Sequence, residues 1–310
     1  MIVKPSKATD FYKGIVNIYI KRPLTAPSEQ FEGAVYSYLR GLWRQYQMGA
    51  MTALDLGFGD ELARAYLAES ASAYLELQQR TRKSSSPEVL QTLFRIGTCH
   101  DQDTAKAFST GYLDTPEGKR GEISPRMMEP TPEPDDHWWH LANVLAIFHA
   151  RDQKQLSVAI DELLSLPARK HFANSVEWWN AIVPLAVHCL TAEEPDPFRQ
   201  LAVVAEINQK MFGRDDKDFF YEAWFAEIAM SFASAAVKRG WSIPGEDPHP
   251  SMPLRLLTLP PMSVPVHPWG QFPELDPELR KAIERAAKGA KKSAPAKKTA
   301  VKARAKTHRS

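Results

Sequence analysis

An all-α fold is predicted for this chain by two features of its 310 residues. Apolar side chains recur at spacings of three and four along much of the sequence, which is typical of helices that bury one face. Short breaks separate these stretches, so neighbouring helices should pack antiparallel. The sequence therefore predicts stacked antiparallel helical hairpins, either a helical bundle or a short α-solenoid, with a Pro-rich extended C-terminal arm.

Residues 1–110 are predicted to form an N-terminal helical region. The run 11–22 fits a strand or the first turns of a helix, because so short a run shows no decisive period. Ser28 is expected to cap the first long helix, since serine accepts hydrogen bonds from free N–H groups at a helix start. Helices are expected over residues 29–53, over residues 60–80 and from Ser86 onward.

A loop rich in Gly, Pro and charge is expected at residues 111–134, and a central helical domain with the arm at residues 135–274. Six of the eight tryptophans lie between Trp138 and Trp241, so we expect the densest core in this domain. Five helices are expected there, beginning near Asp135, after Asp152, and at Ser175, Pro197 and Asp218, with Gly240 ending the last.

The C-terminal part of the chain changes in composition. Nine prolines in residues 244–273 exclude a long helix, and the leucines and valines among them favour an arm that lies along the helical body. Residues 275–310 are predicted to hold a short helix beginning at Pro277, followed by a disordered basic tail rich in Lys and Ala.

Charge is divided unevenly along the chain. The formal net charge is +2, but ten of the 39 Lys and Arg residues lie in residues 285–310, which contain no acid. The remaining 29 basic residues face 37 acidic ones, so residues 1–284 carry −8. An acidic body favours basic partners, and a basic tail favours a weak contact with nucleic acid or serves only solubility.

A cytoplasmic location is expected, without a membrane association. The N-terminus has no basic segment followed by an apolar stretch and a cleavage site, and no apolar run approaches the ~18 residues that span a bilayer. Cys99 and Cys189 are too few for a disulfide scaffold and belong to no CxxC pair, so both are expected to be reduced and buried.

Catalytic and metal-binding candidates are few. His137 and His140 are three residues apart and share a helix face, as two metal ligands do, but no third ligand follows at a diagnostic spacing. The triplet Cys99-His100-Asp101 holds a nucleophile and a base as direct neighbours, which is rarely a working geometry. We therefore expect no enzyme activity, no cofactor and no metal.

Three acidic stretches precede predicted helices, and two of them are candidate partner-binding surfaces. Acidic residues at helix starts offset the helix dipole, which is the simpler interpretation. The alternative is a negative surface that steers a basic partner. The candidate binding residues are Glu193, Glu194, Asp196, Asp215, Asp216 and Asp218.

A family resemblance adds a functional expectation. The segment from His137 to Leu257 begins with the pair Trp138-Trp139 and has a charged break at Arg151-Asp152. It ends with a helix closing in Arg-Gly and a Ser-x-x-Pro-Leu stretch at residues 251–254. It resembles the bacterial polymorphic-toxin immunity proteins of the family numbered forty-nine, although Arg151 stands where that family has Gly.

The resemblance implies an immunity protein that binds a cognate antibacterial toxin and neutralises it by occluding the active site of the toxin. It implies a mostly helical fold without an active site of its own. A helical-repeat scaffold that binds other proteins, with a nucleic-acid-binding tail at residues 285–310, is the alternative. An α-helical enzyme that uses His137 and His140 is the third hypothesis.

Overall fold

The fold is all-α over the residues that the computed structural model describes, which are 8–28, 31–115, 117–119, 135–150, 153–166, 175–191, 197–212 and 226–289. These residues form eleven α-helices and no strand. The helices are α1 (Ala8–Ile15), α2 (Glu32–Leu56), α3 (Asp60–Thr81), α4 (Ser86–Thr98), α5 (Gln102–Leu113), α6 (Asp135–Ala150), α7 (Gln153–Ser165), α8 (Ser175–Thr191), α9 (Pro197–Phe212), α10 (Glu227–Arg239) and α11 (Pro277–Ala287).

The N-terminal run is helical, which decides between the two predicted alternatives. α1 continues into a π-helical turn at Val16–Ile20, and Phe11, Tyr12 and Ile15 bury one face. The predicted cap at Ser28 is wrong. The chain is still extended at Phe31, which is the N-cap of α2 and has no side-chain cap hydrogen bond. A helix capped by Ser28 would require a helical backbone at Phe31, where the backbone is extended.

Helix α5 is not among the helices predicted from the sequence. Its N-cap, Asp101, explains where it begins. The Asp101 carboxylate accepts hydrogen bonds from the backbone N–H and the hydroxyl of Thr104, at 3.0 and 2.8 Å. That arrangement begins a helix, because it satisfies a free N–H of the first turn. α5 then runs to Leu113, three residues into the predicted loop.

Helix α4 is the centre of the packing. It contacts α3, α5, α6 and α10, so it joins the N-terminal helices to the central ones. All of its residues are buried except Pro87 and Gly97. Gly97 permits a close approach of α10, since a Cβ atom there would lie 1.9 Å from the Ser234 hydroxyl. The remaining helices pack as α2 with α3, α6 with α5 and α7, and α8 with α9 and α10.

The expectation of the densest core in the central block stays a prediction, because residues 213–225 of that block, Trp224 among them, lie outside the described residues. Their largest fully buried side chains come mostly from α1 to α5, and Phe232 of α10 alone represents the central block. Trp138, Trp139 and Trp241 are only partly buried, and Trp138 and Trp241 pack against the core from its edge. The large surface area of the tryptophan side chains therefore did not predict where the largest fully buried side chains lie.

Residues 241–276 contact the N-terminal helices by backbone hydrogen bonds. The Met262 N–H donates to the carbonyl of Cys99, and the Val264 N–H donates to the Asp101 carboxylate, both at 3.0 Å. A short 3₁₀ turn at Leu254–Thr258 lies within this segment, and its Leu254, Leu256 and Leu257 are buried. This turn is the one local helix in a stretch that the prolines were expected to keep extended.

Further along, the same segment is fixed by tyrosines of α2 and α3. The Tyr46 hydroxyl donates to the carbonyl of Pro273 at 2.5 Å, and the Asp276 N–H donates to the Tyr66 hydroxyl at 2.7 Å. Asp276 then caps α11, which begins at Pro277 as predicted. α11 packs on α1, so the two ends of the described chain meet.

No helix among these residues has both the length and the apolar character required to cross a bilayer.

Candidate functional site

The six predicted partner-binding residues, Glu193, Glu194, Asp196, Asp215, Asp216 and Asp218, lie outside the described residues. The helix between the two acidic stretches is described. Residues 193–196 directly precede Pro197, the first residue of α9, and residues 215–218 follow its last residue, Phe212, closely. At 1.5 Å per residue, its 16 residues separate the two attachment points by about 24 Å.

The outer face of α9 connects these attachment points. Arg199, Val203, Glu206 and Lys210 are exposed at spacings of four, three and four, which places them on one side of the helix. The Val203 side chain is 53% exposed at the centre of that face. The opposite face is buried against α8 and α10 through Phe198, Leu201, Val204, Ala205 and Ile207.

The triplet Cys99-His100-Asp101 forms the turn between α4 and α5. Burial raises the pKa of the Cys99 thiol to about 11, so the group is a thiol at neutral pH. His100 has a left-handed backbone, with φ at 57°. Burial raises the pKa of Asp101, but hydrogen bonds from Thr104 and Val264 outweigh it, so the pKa is lowered overall. Asp101 therefore holds this turn through its hydrogen bonds.

The histidine pair of α6 is described only in part, because the side chain of His137 lies outside the description. His140 is 4% exposed, and its Nδ1 lies 4.0 Å from a carboxylate oxygen of Glu162. The ring of Trp139 meets the His140 ring edge-on at 4.7 Å. Among side chains that are described, no three His, Cys, Asp or Glu residues are placed to hold a metal ion.

A buried ion pair that the sequence did not reveal joins α4 to α10. Arg95 donates from Nε and Nη2 to the two carboxylate oxygens of Glu227, at 2.9 and 2.8 Å. Both side chains have zero exposure. Burial raises the pKa of Glu227, while Arg95 and a hydrogen bond from Gln47 partly offset the rise. The two-point geometry is the form in which Arg holds a carboxylate most firmly.

Side chains of α2 and α3 complete the surroundings of this pair. The Gln47 amide donates to Glu227 at 2.5 Å, and Arg95 donates to the Ser70 hydroxyl at 2.5 Å. The guanidinium also lies 4.4 Å from the Trp43 ring centre. We name these five residues the buried polar cluster. The one sequence signal for it is Arg95 itself, a charge inside an apolar helical run.

A cleft opens where the α4–α5 turn, the end of α10 and the 3₁₀ turn meet. It has a volume of about 470 Å³, within the range of small-ligand sites. The lining residues are Gly97, His100, Gln102, Ser234, Val237, Lys238 and Leu257.

Lys238 is positioned in this cleft by two aromatic neighbours. Its ammonium lies 3.4 Å from Nδ1 of His149 and 5.0 Å from the ring centre of Phe148. Burial, and then the charge of Lys238, lower the pKa of His149 to about 3. His149 is therefore a neutral base at pH 7, and Nδ1 can accept a hydrogen bond from Lys238.

Compared with known protein families, with curated proteins and with solved structures, the chain matches none.

Proposed function

We propose that this chain is a cytoplasmic immunity protein that binds a cognate antibacterial toxin and neutralises it by occluding its active site. The observation that carries the proposal is the arrangement around α9. Two acidic stretches attach to opposite ends of one helix, and the exposed Val203 lies between them. An apolar centre with a charged rim is typical of protein–protein interfaces.

Charge supports a basic toxin as the partner. Residues 1–284 carry a formal charge of −8, which attracts a cationic protein over a distance and speeds its association. Nucleic-acid-targeting toxins are of this kind, because their active sites hold a polyanion. A standard complex buries about 800 Å² per partner, so the interface would extend beyond α9, which is only about 24 Å long.

Architecture is consistent with this use. In the proposal the helices form stacked antiparallel hairpins, as in a short α-solenoid, and the Pro-rich arm braces them from outside. A rigid stack presents a fixed surface, so little ordering entropy is lost when the partner binds.

The first experiment identifies the partner and tests the α9 face. The tagged protein is recovered from its native cells under a wash of ~0.5 M salt, which removes loose electrostatic partners, and its bound proteins are identified by mass spectrometry. We expect one stoichiometric toxin. Val203→Arg should reduce its recovery at least about tenfold, since a cation and a long side chain then occupy the centre of the interface.

A matched control is Val158→Arg on α7, where the valine is 55% exposed compared with 53% for Val203. This control should recover the toxin as the parent does. Equal losses in both variants, or none in either, would remove the α9 face from the interface. Reversal of the charges at residues 193–196 and 215–218 should slow association and weaken its salt dependence.

The helical scaffold with a nucleic-acid-binding tail is the second candidate. It is favoured by two exposed cations, Arg285 and Lys288, at the end of α11. Deletion of residues 285–310 distinguishes the candidates. The scaffold should lose nucleic acid and its activity, whereas an immunity protein should still protect cells from the toxin.

A further inference from the structure

The chain that follows the 3₁₀ turn forms a proline ridge, the name we give to residues 259–268. Four of these ten residues are prolines, and none of the ten belongs to a helix or a strand. Leu259 has φ of −69° and ψ of 152°, which are the dihedral angles of a polyproline II helix. Proline and the residue before it both favour this conformation, so only Met262, Ser263 and Val266 are not restricted to it.

The exposure of the proline ridge has the period of a polyproline II helix. Pro260, Ser263 and Val266 are exposed at spacings of three, the number of residues in one turn of that helix. Val266 is 91% exposed, more than any other large apolar side chain among the described residues. Pro261 and Pro268 are exposed as well. The outer edge is therefore an apolar surface about 25 Å long, from a rise of ~3.1 Å per residue.

The inner side of the proline ridge is fixed to the helical body. Arg64 of α3 donates a hydrogen bond to the carbonyl of Pro260 near one end. Near the other end, Nε2 of His267 lies 2.6 Å from a carboxylate oxygen of Glu69, which is also in α3. Between them, two backbone N–H groups donate to the α4–α5 turn. The conformation is thus held before a partner arrives, so little ordering entropy is lost when the partner binds.

We propose that the proline ridge is a docking site for a protein domain that recognises polyproline II segments in a groove lined by aromatic side chains. Residues 265–268 have the sequence Pro-x-x-Pro, the pattern that such grooves bind. The exposed Val266 and the pair Pro260-Pro261 supply the apolar groups that pack on the aromatic rings. Residues 256–273 contain no Asp, Glu, Lys or Arg, so the partner is selected by shape and apolar surface rather than by charge.

Addition of a β-strand from a partner fits the proline ridge less well. Such a strand pairs with the backbone N–H and C=O groups of the segment that it joins. Four of the ten residues are prolines, which have no N–H, and the N–H groups of Met262 and Val264 already donate to the helical body. Too few donors remain for a hydrogen-bonded ladder, which is how prolines protect an exposed edge.

This docking site is separate from the surface proposed for toxin binding. The proline ridge is held by α3 and the α4–α5 turn, whereas α9 packs on α8 and α10. The inference therefore does not depend on the immunity function. The two surfaces also differ in charge, because the proposed toxin surface is flanked by acidic residues and the outer edge of the ridge has none.

Calorimetric titration of the full chain tests the inference with two probes, an SH3 domain and a WW domain. Both domains bind polyproline II segments in aromatic-lined grooves. We expect at least one of them to bind with a Kd of roughly 0.01–1 mM, since the ridge offers a small interface. The affinity should stay the same between ~0.05 and ~0.5 M NaCl, because salt screens charges and the outer edge carries none.

Two variants locate the binding. Val266→Arg should weaken it at least about tenfold, since a cation then stands on the apolar edge. Val158→Arg, at an exposed valine of α7, is the matched control and should bind as the parent does. Ser263→Pro should strengthen binding by about threefold, because a further proline restricts the free ridge to the bound conformation. The Ser263 N–H donates to no described residue, so this change removes no hydrogen bond.

Three results would overturn the inference. The first is the absence of saturable binding for both domains. The second is binding that Val266→Arg and Ser263→Pro leave unchanged, since the domain then docks elsewhere on the chain. The third comes from sedimentation of the chain alone: self-association that Val266→Arg abolishes would assign the proline ridge to a second copy of the chain instead of a polyproline-binding domain.

Discussion

The N-terminal helices and the central helices are stabilised in different ways. Helices α2, α3 and α4 are joined to distant parts of the chain by specific polar contacts, such as Arg95 with Glu227 and Tyr46 with Pro273. Helices α6 to α9 bury periodic rows of aliphatic and aromatic side chains. Apolar rows tolerate substitution when volume is kept, whereas a buried polar contact fails when one partner is removed.

This difference separates stability from recognition. The buried polar cluster lies at the contact of α2, α3, α4 and α10, so its residues maintain the fold. The exposed face of α9 has no such task, because Arg199, Val203, Glu206 and Lys210 point away from α8 and α10. Substitutions in the cluster should therefore change the free energy of unfolding, and substitutions on α9 should change binding.

The largest effect is expected from Glu227→Gln. This change leaves the Arg95 charge buried without its counter-charge, which costs about 3–5 kcal/mol of unfolding free energy. Urea denaturation measures it through the midpoint and slope. Glu278→Gln breaks an exposed pair with Lys281 and should cost under about 0.5 kcal/mol.

A double variant sharpens this prediction. Replacing Arg95 by Met and Glu227 by Leu together should cost much less than Glu227→Gln alone, since no unpaired charge remains buried. If the double variant is the less stable of the two, the cluster acts through packing and the comparison of the two regions loses its basis.

The next largest effect is expected from His149, which makes the free energy of unfolding depend on pH. In the folded chain its pKa is about 3, against an ordinary value of 6.5, so the unfolded chain binds the proton first as the pH falls. Stability due to the neutral form is therefore present above pH 6.5 and lost below it. By pH 4.5 the loss is roughly 2–3 kcal/mol, because pH 4.5 lies about two units below the unfolded pKa and still above the folded one.

The variant His149→Leu tests the predicted direction of this pH effect. The variant has nothing to protonate at this position, so its unfolding free energy should fall less between pH 7 and 4.5 than that of the parent. The difference between the two proteins isolates His149 from the carboxyl groups that titrate in the same range. Identical pH profiles would show that position 149 protonates in the folded state.

Gly97→Ala should destabilise the chain by about 1–3 kcal/mol, because the added methyl group would overlap the Ser234 side chain and force α4 and α10 apart. Ser234→Gly should restore part of the loss. Gly14→Ala in α1 is the matched control, since nothing lies within 4 Å of its Cβ position. Alanine there should stabilise the helix by up to about 1 kcal/mol. Thermal unfolding of the three variants measures the order of their stabilities.

The smallest effect on stability is expected on the α9 face. Val203→Arg and Val158→Arg both replace half-exposed valines and should stay within about 0.5 kcal/mol of the parent. Denaturation of both variants therefore provides the folding control for the toxin-binding experiment. A loss of several kcal/mol in Val203→Arg alone would mean that α9 supports the fold rather than a partner.

Sequence periodicity predicted individual helices well. α6 begins at Asp135 and ends at Ala150, as its acidic start and apolar rows indicate, and α3 begins at Asp60 as expected. Gly240 has a φ of 103°, which confirms the predicted left-handed end of α10. These features depend on neighbours three or four residues apart, so a local pattern is sufficient to predict them.

Local patterns misled where one residue had two plausible uses. Asp101 was weighed as a catalytic neighbour of Cys99 and His100, while its hydrogen bond to Thr104 begins α5. Tryptophan content did not indicate that Trp43, Tyr46 and Tyr74 of the N-terminal helices are among the largest fully buried side chains of the described residues. Burial depends on the position of a helix among its neighbours, which composition does not record.

The sequence by itself determined the all-α class, the bounds of most helices, the acidic body and the basic tail, because these depend on spacing and composition. Tertiary structure alone decided that Arg95 meets Glu227, 132 positions away, and that His100, Gln102 and Lys238 line one cleft. The physical reason is that a helix presents several faces of similar polarity. Which face is buried, and against which helix, is fixed only when all the helices pack together.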